Sequence, residues 1–393
     1  MMFNRIPLGL ASFLVVVSVG ITACGQDLAG MALFEPADVR PYGNWAKPKD
    51  GLFFTFDGLY WHISPPAKTS VGEPGQGGAK GTLAWVGPTY EDQIPQINTI
   101  DTGTGSVWKW GDRMEIGYIE GHQGIMFTTL STQSQTSETS AASACVFFND
   151  SGLTSGYPYL RTVVPSPSAD GTLVNFDRTL VKFDSIYVQN KSRLFGVEAL
   201  YIYRPAQLHA GGTLEFTAGG RYFELKDQFW VDARGSNLTD SYWNTHSHNQ
   251  IVGPEIGMRW FQPMGRFGIS AEGRFTAGIN SQSVNQDGLL GRELIAGNTT
   301  PPQPTLMVPT GLNHSDHWIE FSPIIELRVE AHMQLTNLIA VKVGYTGIFV
   351  NNVVRAADMV DYTLPTMGIT RNLNGNLQDM YAQGLNISIE VNR

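Results

Sequence analysis

Charged side chains recur at every second position through stretches that are otherwise apolar. In "GRFGISAEGRFTAGIN", residues 265 to 280, Glu272 and Arg274 share a parity with Ser270 and Thr276, while Phe267, Ile269, Ala271, Phe275 and Ile279 take the other. The same reading along the chain puts the acids Asp57, Glu115, Glu198, Glu215, Glu255, Glu272, Glu320, Glu326, Glu330 and Glu390 on the polar parity, with the bases Arg113, Arg221, Arg259, Arg274, Arg328 and Lys342. The signs are intermixed, and residues two apart on a strand share a face, so Arg113 with Glu115, Glu272 with Arg274, and Glu326 with Arg328 and Glu330 can pair. If this face is enclosed, the charges form either a cross-braced polar core or an ion path. The brace is favoured, because unpaired charges in a narrow interior are costly and small barrels fill with their own side chains.

Two histidine groups offer metal chemistry: His246 and His248 with Asp240 nearby, and His314, Asp316 and His317. Residues i and i+2 of an extended segment face one way, but a site needs a third or fourth ligand, which neither group supplies. Neither accompanies a recognisable nucleophile spacing. "GEPGQGGAKG", residues 72 to 81, lacks the phosphate-binding spacing and reads as a flexible loop. No catalytic residue, metal ligand or cofactor is therefore assigned, and an enzyme is not expected.

The elements that must position the charges are strands. Alternation marks them at 52–63, 113–119, 124–131, 194–203, 214–223, 252–260, within 265–280, and at 318–335, 339–349 and 381–393. The connections between them alternate long and short. Stretches 64–112, 132–193, 224–251, 281–317 and 350–380 are long; 120–123, 204–213, 261–266 and 336–338 are short. That rhythm fits an up-and-down transmembrane barrel of about ten strands, with twelve as the alternative, short turns in the periplasm and long loops outside. Tyr118, Phe127, Tyr203, Trp260 and Phe267 near the short turns, and Tyr60, Tyr222, Phe349 and Tyr381 near the long loops, would form two interfacial girdles. In lipid the apolar parity faces out and the charges face the lumen.

Composition agrees. The 393 residues are 42% hydrophobic and 16% charged, with 43 glycines and few helix signals, which favours an all-β chain. A net charge of -9 excludes the basic footprint of a nucleic-acid binder. Residues 1–25 read as an export signal, with Arg5 ahead of an apolar run from Ile6 to Ile21. Cleavage after Gly25 is preferred over lipid attachment at Cys24. With only Cys24 and Cys145 in the sequence, a chain beginning at Gln26 forms no internal disulfide. The expected organisation is a signal peptide at 1–25, a periplasmic segment at 26–50 and an outer-membrane barrel at 51–393. "STQSQTSETSAASA", residues 131–144, is polar and of low complexity and reads as a mobile loop.

The stretches "WAKPKDGLFFTFDGLYWHI", "NQIVGPEIGMRWF", "GISAEGRFTAGINSQSVNQDG" and "EFSPIIELRVEAHMQLTNLIAVKVGYTGIFV" together resemble the putative beta barrel porin family 7, abundant in planctomycete bacteria. The resemblance runs from about Trp45 to Arg393. It implies an integral outer-membrane barrel and supplies no catalytic residue or substrate. Outer-membrane barrels commonly end in an aromatic residue; here Arg393 stands last. The expected partners are outer-membrane lipid, the barrel assembly machinery and, if the lumen is open, small solutes. The expected role is structural or surface-related, or limited small-solute passage; an embedded hydrolase or an adhesin acting through the long loops is the rival reading.

Overall fold

The computed structural model describes residues 50–66, 71–72, 84–85, 93–94, 107–150, 178–205, 208, 212–235, 238–294, 308–364, 366–370 and 377–392. The principal strands are β1 (Gly51–Ile63), β2 (Trp108–Glu120), β3 (Gln123–Thr132), β4 (Gln135–Asp150), β5 (Arg178–Tyr203), β6 (Thr213–Arg234), β7 (Ser241–Met264), β8 (Phe267–Thr276), β9 (Ile279–Leu290), β10 (Thr310–Phe321), β11 (Ile324–Gln334), β12 (Ile339–Val354) and β13 (Leu377–Asn392). Ten of them close into an antiparallel barrel in the order β1-β2-β3-β5-β6-β7-β8-β11-β12-β13, and β13 returns to β1 with Phe54 opposite Val391 and Tyr60 opposite Leu385. Closure leaves no edge in the ring, which a sheet in hydrocarbon requires because unpaired backbone groups find no water there.

Period-two alternation decides the faces. On β11, Ile325, Leu327 and Val329 point out while Glu326, Arg328 and Glu330 are buried inside, and Leu385, Ile387 and Ile389 on β13 are exposed like Leu327, at 62%. Tyr118, Phe127, Tyr203 and Phe267 are exposed near one rim; Tyr60 and Tyr381 are exposed near the other. The first rim carries the tight turns, where Gly121 (φ 59°) and Gly265 (φ 65°) adopt the left-handed backbone that a hairpin needs and other residues resist. We call this the short-turn end.

Beyond the opposite, long-connection end, the strands continue. β3 leaves β5 at the Ser131–Phe195 pair, and β4 takes its place from Gln135–Ser192 upward. On the other side β8 ends at Thr276, and β9 takes over beside β7 from Ile279–Val252. The result is a six-stranded upper sheet, β4-β5-β6-β7-β9-β10, standing on one sector of the barrel. Three sequence expectations change accordingly. Residues 131–144 are not a loop: Gln135–Asp150 is a strand paired with β5. The single strand expected at 318–335 is two, because Pro323 carries no N–H for a ladder and the chain turns from β10 into β11 there. The connections expected at 224–251 and 281–317 are likewise partly hairpin extensions. Gly278 permits the fork, since a Cβ there would sit 2.7 Å from the Ser322 carbonyl oxygen and 2.2 Å from Ile251 Cγ2.

The inward face of the upper sheet holds an apolar core. Phe148, Phe183, Phe229, Trp243 and Leu290 pack against Ala356, Tyr362 and Leu364 from the segment after β12, which folds inward through a 3-10 turn at Ala356–Met359. That segment reaches both edges of the sheet: Thr363 and Leu364 pair with the end of β4, and the Thr366 carbonyl lies 3.2 Å from His314 Nε2 on β10.

Candidate functional site

The candidate site is the barrel interior, set by strand register. Opposite charges face each other on neighbouring strands: Asp57 beside Arg113, Glu198 beside Arg221, Glu215 beside Arg259, Glu272 between Arg259 and Arg328, and Arg274 beside Glu326. Longer reaches tie walls that are not neighbours. Arg113 on β2 meets Glu326 on β11 at 2.6 Å, and Arg328 on β11 returns to Glu115 on β2 at 2.8 Å. Arg221 on β6 reaches the second oxygen of Glu326 at 2.9 Å and Glu255 at 3.4 Å. Arg274 bonds Glu272 at 2.7 Å and also Glu198, while Arg259 holds Glu272 at 3.1 Å and lies 3.8 Å from Glu215. Glu330 lies 3.9 Å from Arg328, and Lys342 pairs with Glu390 at the short-turn side. Fifteen of the sixteen charged residues expected on the polar parity, Asp57 among them, thus lie inside the barrel. Glu320, also expected on that face, lies on β10 in the upper sheet.

Two features were not anticipated. Arg204, in the connection after β5, continues the inward parity of Glu198, Leu200 and Ile202 and bonds Glu215 at 2.7 Å. The inward parity of β1 also changes character, from Thr55 and Asp57 to Leu59, Trp61 and Ile63, all buried. Those residues join Leu130, Leu194, Phe223, Leu225, Ile251, Ile324, Ile348, Val350 and Met380 in an apolar layer directly beyond the ion pairs. Aromatic rings cover the charges at the junction: the Arg113 guanidinium lies 5.7 Å from the Trp61 ring centre and that of Arg221 lies 5.4 Å from Phe223. Trp61 Nε1 donates to Asn386 Oδ1 at 2.9 Å.

Along the axis the lumen therefore carries three successive fillings: ion pairs, the apolar layer, and the inward segment under the upper sheet. Arg355 fixes that segment. Fully buried, it bonds Asp227 on β6, the Ser64 carbonyl at 2.9 Å and Ser192 Oγ at 3.2 Å. Below the ion pairs a cavity of about 290 Å³ lies at the short-turn end, with Arg204, Arg259, His332, Lys342 and Glu390 in its wall.

The two histidine groups do not converge. His246 and His248 lie on the outer face of the upper sheet, His248 bonding Glu224 at 2.8 Å; His317 is near Ser281, at 2.8 Å, and His314 turns to the inward segment. Among the described residues no group of three or more His, Cys, Asp or Glu side chains comes together to hold a metal ion. The glycine-rich stretch expected at 72–81 lies almost wholly outside the described residues.

A closed ring of alternating strands with an apolar exterior and a charged interior defines an outer-membrane β-barrel. The chain belongs to the Putative beta barrel porin-7 (BBP7) family, whose model matches residues 101–392. No curated protein matches it in sequence. Among solved structures it is similar to the outer membrane protease OmpT from Escherichia coli, at 8% identity and a TM-score of 0.36, over 87% of this chain and 93% of that one. It is also similar to a Pseudomonas aeruginosa FadL homologue, at 8% identity and a TM-score of 0.25, over 87% and 90%. Likenesses this distant carry no argument about activity.

Proposed function

We propose that the protein is a sealed outer-membrane barrel that anchors its upper sheet at the cell surface, with little or no passage of solute. The observation that carries this reading is the filling of the lumen: buried ion pairs, then Trp61, Phe223 and Leu225 with their neighbours, then the segment held by Arg355. Water and ions would have to cross an apolar layer that is already packed with side chains. Its place in the cell follows from an export signal at residues 1–25 and a periplasmic segment at 26–50, which put the short turns in the periplasm and the upper sheet outside. The cavity at the short-turn end is then a blind periplasmic vestibule. Planar-bilayer recording on the purified protein is the test. The expected record is flat, and large steady steps would identify a general porin instead.

A further inference from the structure

The outer face of the upper sheet meets the membrane along one sector of the rim, and register lays out the rows that cross this boundary. The last apolar row runs Val197, Tyr222, Val252, Ile279 and Phe321 across β5, β6, β7, β9 and β10, with Val252 58% and Ile279 62% exposed. Two residues further along each strand come Phe195, Glu224, Gln250, Ser281 and Ile319. The next row is Arg193, Lys226, His248, Ser283 and His317, and above it stand Lys191, Gln228, His246, Asn285 and Ser315. Neither of these two rows contains an acid, in a chain of net charge -9.

Height and exposure decide what such a band meets. Four residues at roughly 3.3 Å each, on a strand tilted by about 40°, raise the Arg193–Lys226 row roughly 10 Å above the last apolar row. Headgroups occupy roughly the first 5 to 8 Å beyond the hydrocarbon, and long basic side chains bend back to reach them. Lys191 and Arg193 are exposed, and the Lys226 side chain is 52% exposed. Four acids moderate the charge: Glu224, bonded to Lys226 and His248 at 2.8 Å each; Asp112 on β2, within electrostatic reach of Arg193; and Glu138 and Asp287 in the row above Lys191, which accept from Gln189 at 2.8 Å and Asn244 at 3.4 Å. The opposite sector of the rim is built differently, with the rings of Tyr60 and Trp110 5.1 Å apart and those of Phe349 and Tyr381 4.8 Å apart.

We propose that this band binds net-anionic, phosphate-bearing lipid headgroups of the leaflet at the long-connection end, through Lys191, Arg193 and Lys226 with His248 and His317 beside them. Charge complementarity and direct continuity with the lipid-facing surface both select lipid as the occupant. The inference goes beyond the sealed-barrel reading and holds whether or not the lumen conducts. It explains why the basic residues gather on one sector: that sector carries the sheet, and headgroup contacts would brace the sheet where it leaves the bilayer.

The test uses the full-length protein in phosphatidylcholine nanodiscs containing a minor share of phosphatidic acid, with retained lipids identified by native mass spectrometry. Phosphatidic acid should be enriched on the oligomer-free protein on the order of ten-fold, and the enrichment should fall with added salt. The triple variant Lys191→Gln, Arg193→Gln, Lys226→Gln should lose the preference, whereas Arg234→Gln, higher on the sheet and bonded to Asp232 at 3.0 Å, should keep it. Heat-modifiable gel migration checks that the variants fold; if the triple variant fails, Arg193→Gln and Lys226→Gln singly should each reduce the enrichment. Equal retention of both lipids by the unmodified protein would overturn the proposal, as would a folded triple variant that keeps the preference. Displacement by inorganic phosphate, with salt of equal ionic strength ineffective, would assign a free-anion site and overturn the lipid assignment.

Discussion

Arg274 shows what holds the interior together. It is buried, bonds Glu272 at 2.7 Å and Glu198, and lies 3.7 Å from Glu115. Removing one member of such a cluster strands its partners, so Arg274→Ala or Arg221→Ala should cost about 3 to 5 kcal/mol, read as a lower urea midpoint in detergent micelles. The opposite parity responds differently. Ile269→Arg, Leu327→Arg or Val343→Arg should each cost about 2 to 4 kcal/mol near mid-membrane and reduce the folded, heat-modifiable species, because the added charge faces hydrocarbon. Equal tolerance of arginine on both faces would contradict the lipid-facing assignment. Which side each charge faces was legible in the sequence, since a regular strand fixes parity. Who pairs with whom was not: Arg113 reaches Glu326 across 213 positions, and only ring order and stagger bring them together. Arg204 escaped notice because it sits beyond its strand, although its parity continued the pattern.

At the scale of elements, the ten barrel strands were legible because each alternates over enough residues to define a lipid face. Their ends were not. Ile319, Phe321, Ile325 and Leu327 keep one parity straight through the β10–β11 junction, so periodicity gives no sign of the break and Pro323 alone marks it. β4 was hidden for another reason: Ser, Thr and Ala fill its first half, and its strand character comes from pairing with β5 rather than from its own pattern. The inward segment after β12 carried no periodic signal either; it is held by contacts distant in sequence. Arg355→Gln should therefore loosen it selectively. Limited proteolysis of the variant should cut within 355–370, while the barrel keeps its heat-modifiable migration because the ion pairs and the apolar layer below are untouched. Loss of the whole barrel would mean that the segment is integral to folding rather than a cover.

At the scale of the molecule, orientation and closure are separable. Ser283→Cys on the outer face of the upper sheet should be labelled by an impermeant maleimide on intact cells, and Asn337→Cys at a tight turn only after lysis; the reverse would invert the barrel. Closure depends on layers in series, and this makes conductance a graded test. Glu326→Ala with Arg328→Ala removes two side chains from the ion-pair layer, yet Trp61, Phe223 and Leu225 still fill the section above, so this variant should stay non-conducting while losing stability. Removing 355–370 alone leaves that same apolar layer beneath it and should also stay closed. Truncating the layer as well, with Trp61→Ala and Phe223→Ala in the chain lacking 355–370, takes away the cover and two of the largest side chains that fill the section beneath it. Field lines can then reach the polar level, and small steps should appear in planar-bilayer recording. Conductance from the charge-pair variant alone would mean that the ion pairs are the gate and the apolar layer is permeable to water, which would return the protein to the porins that pass small solutes.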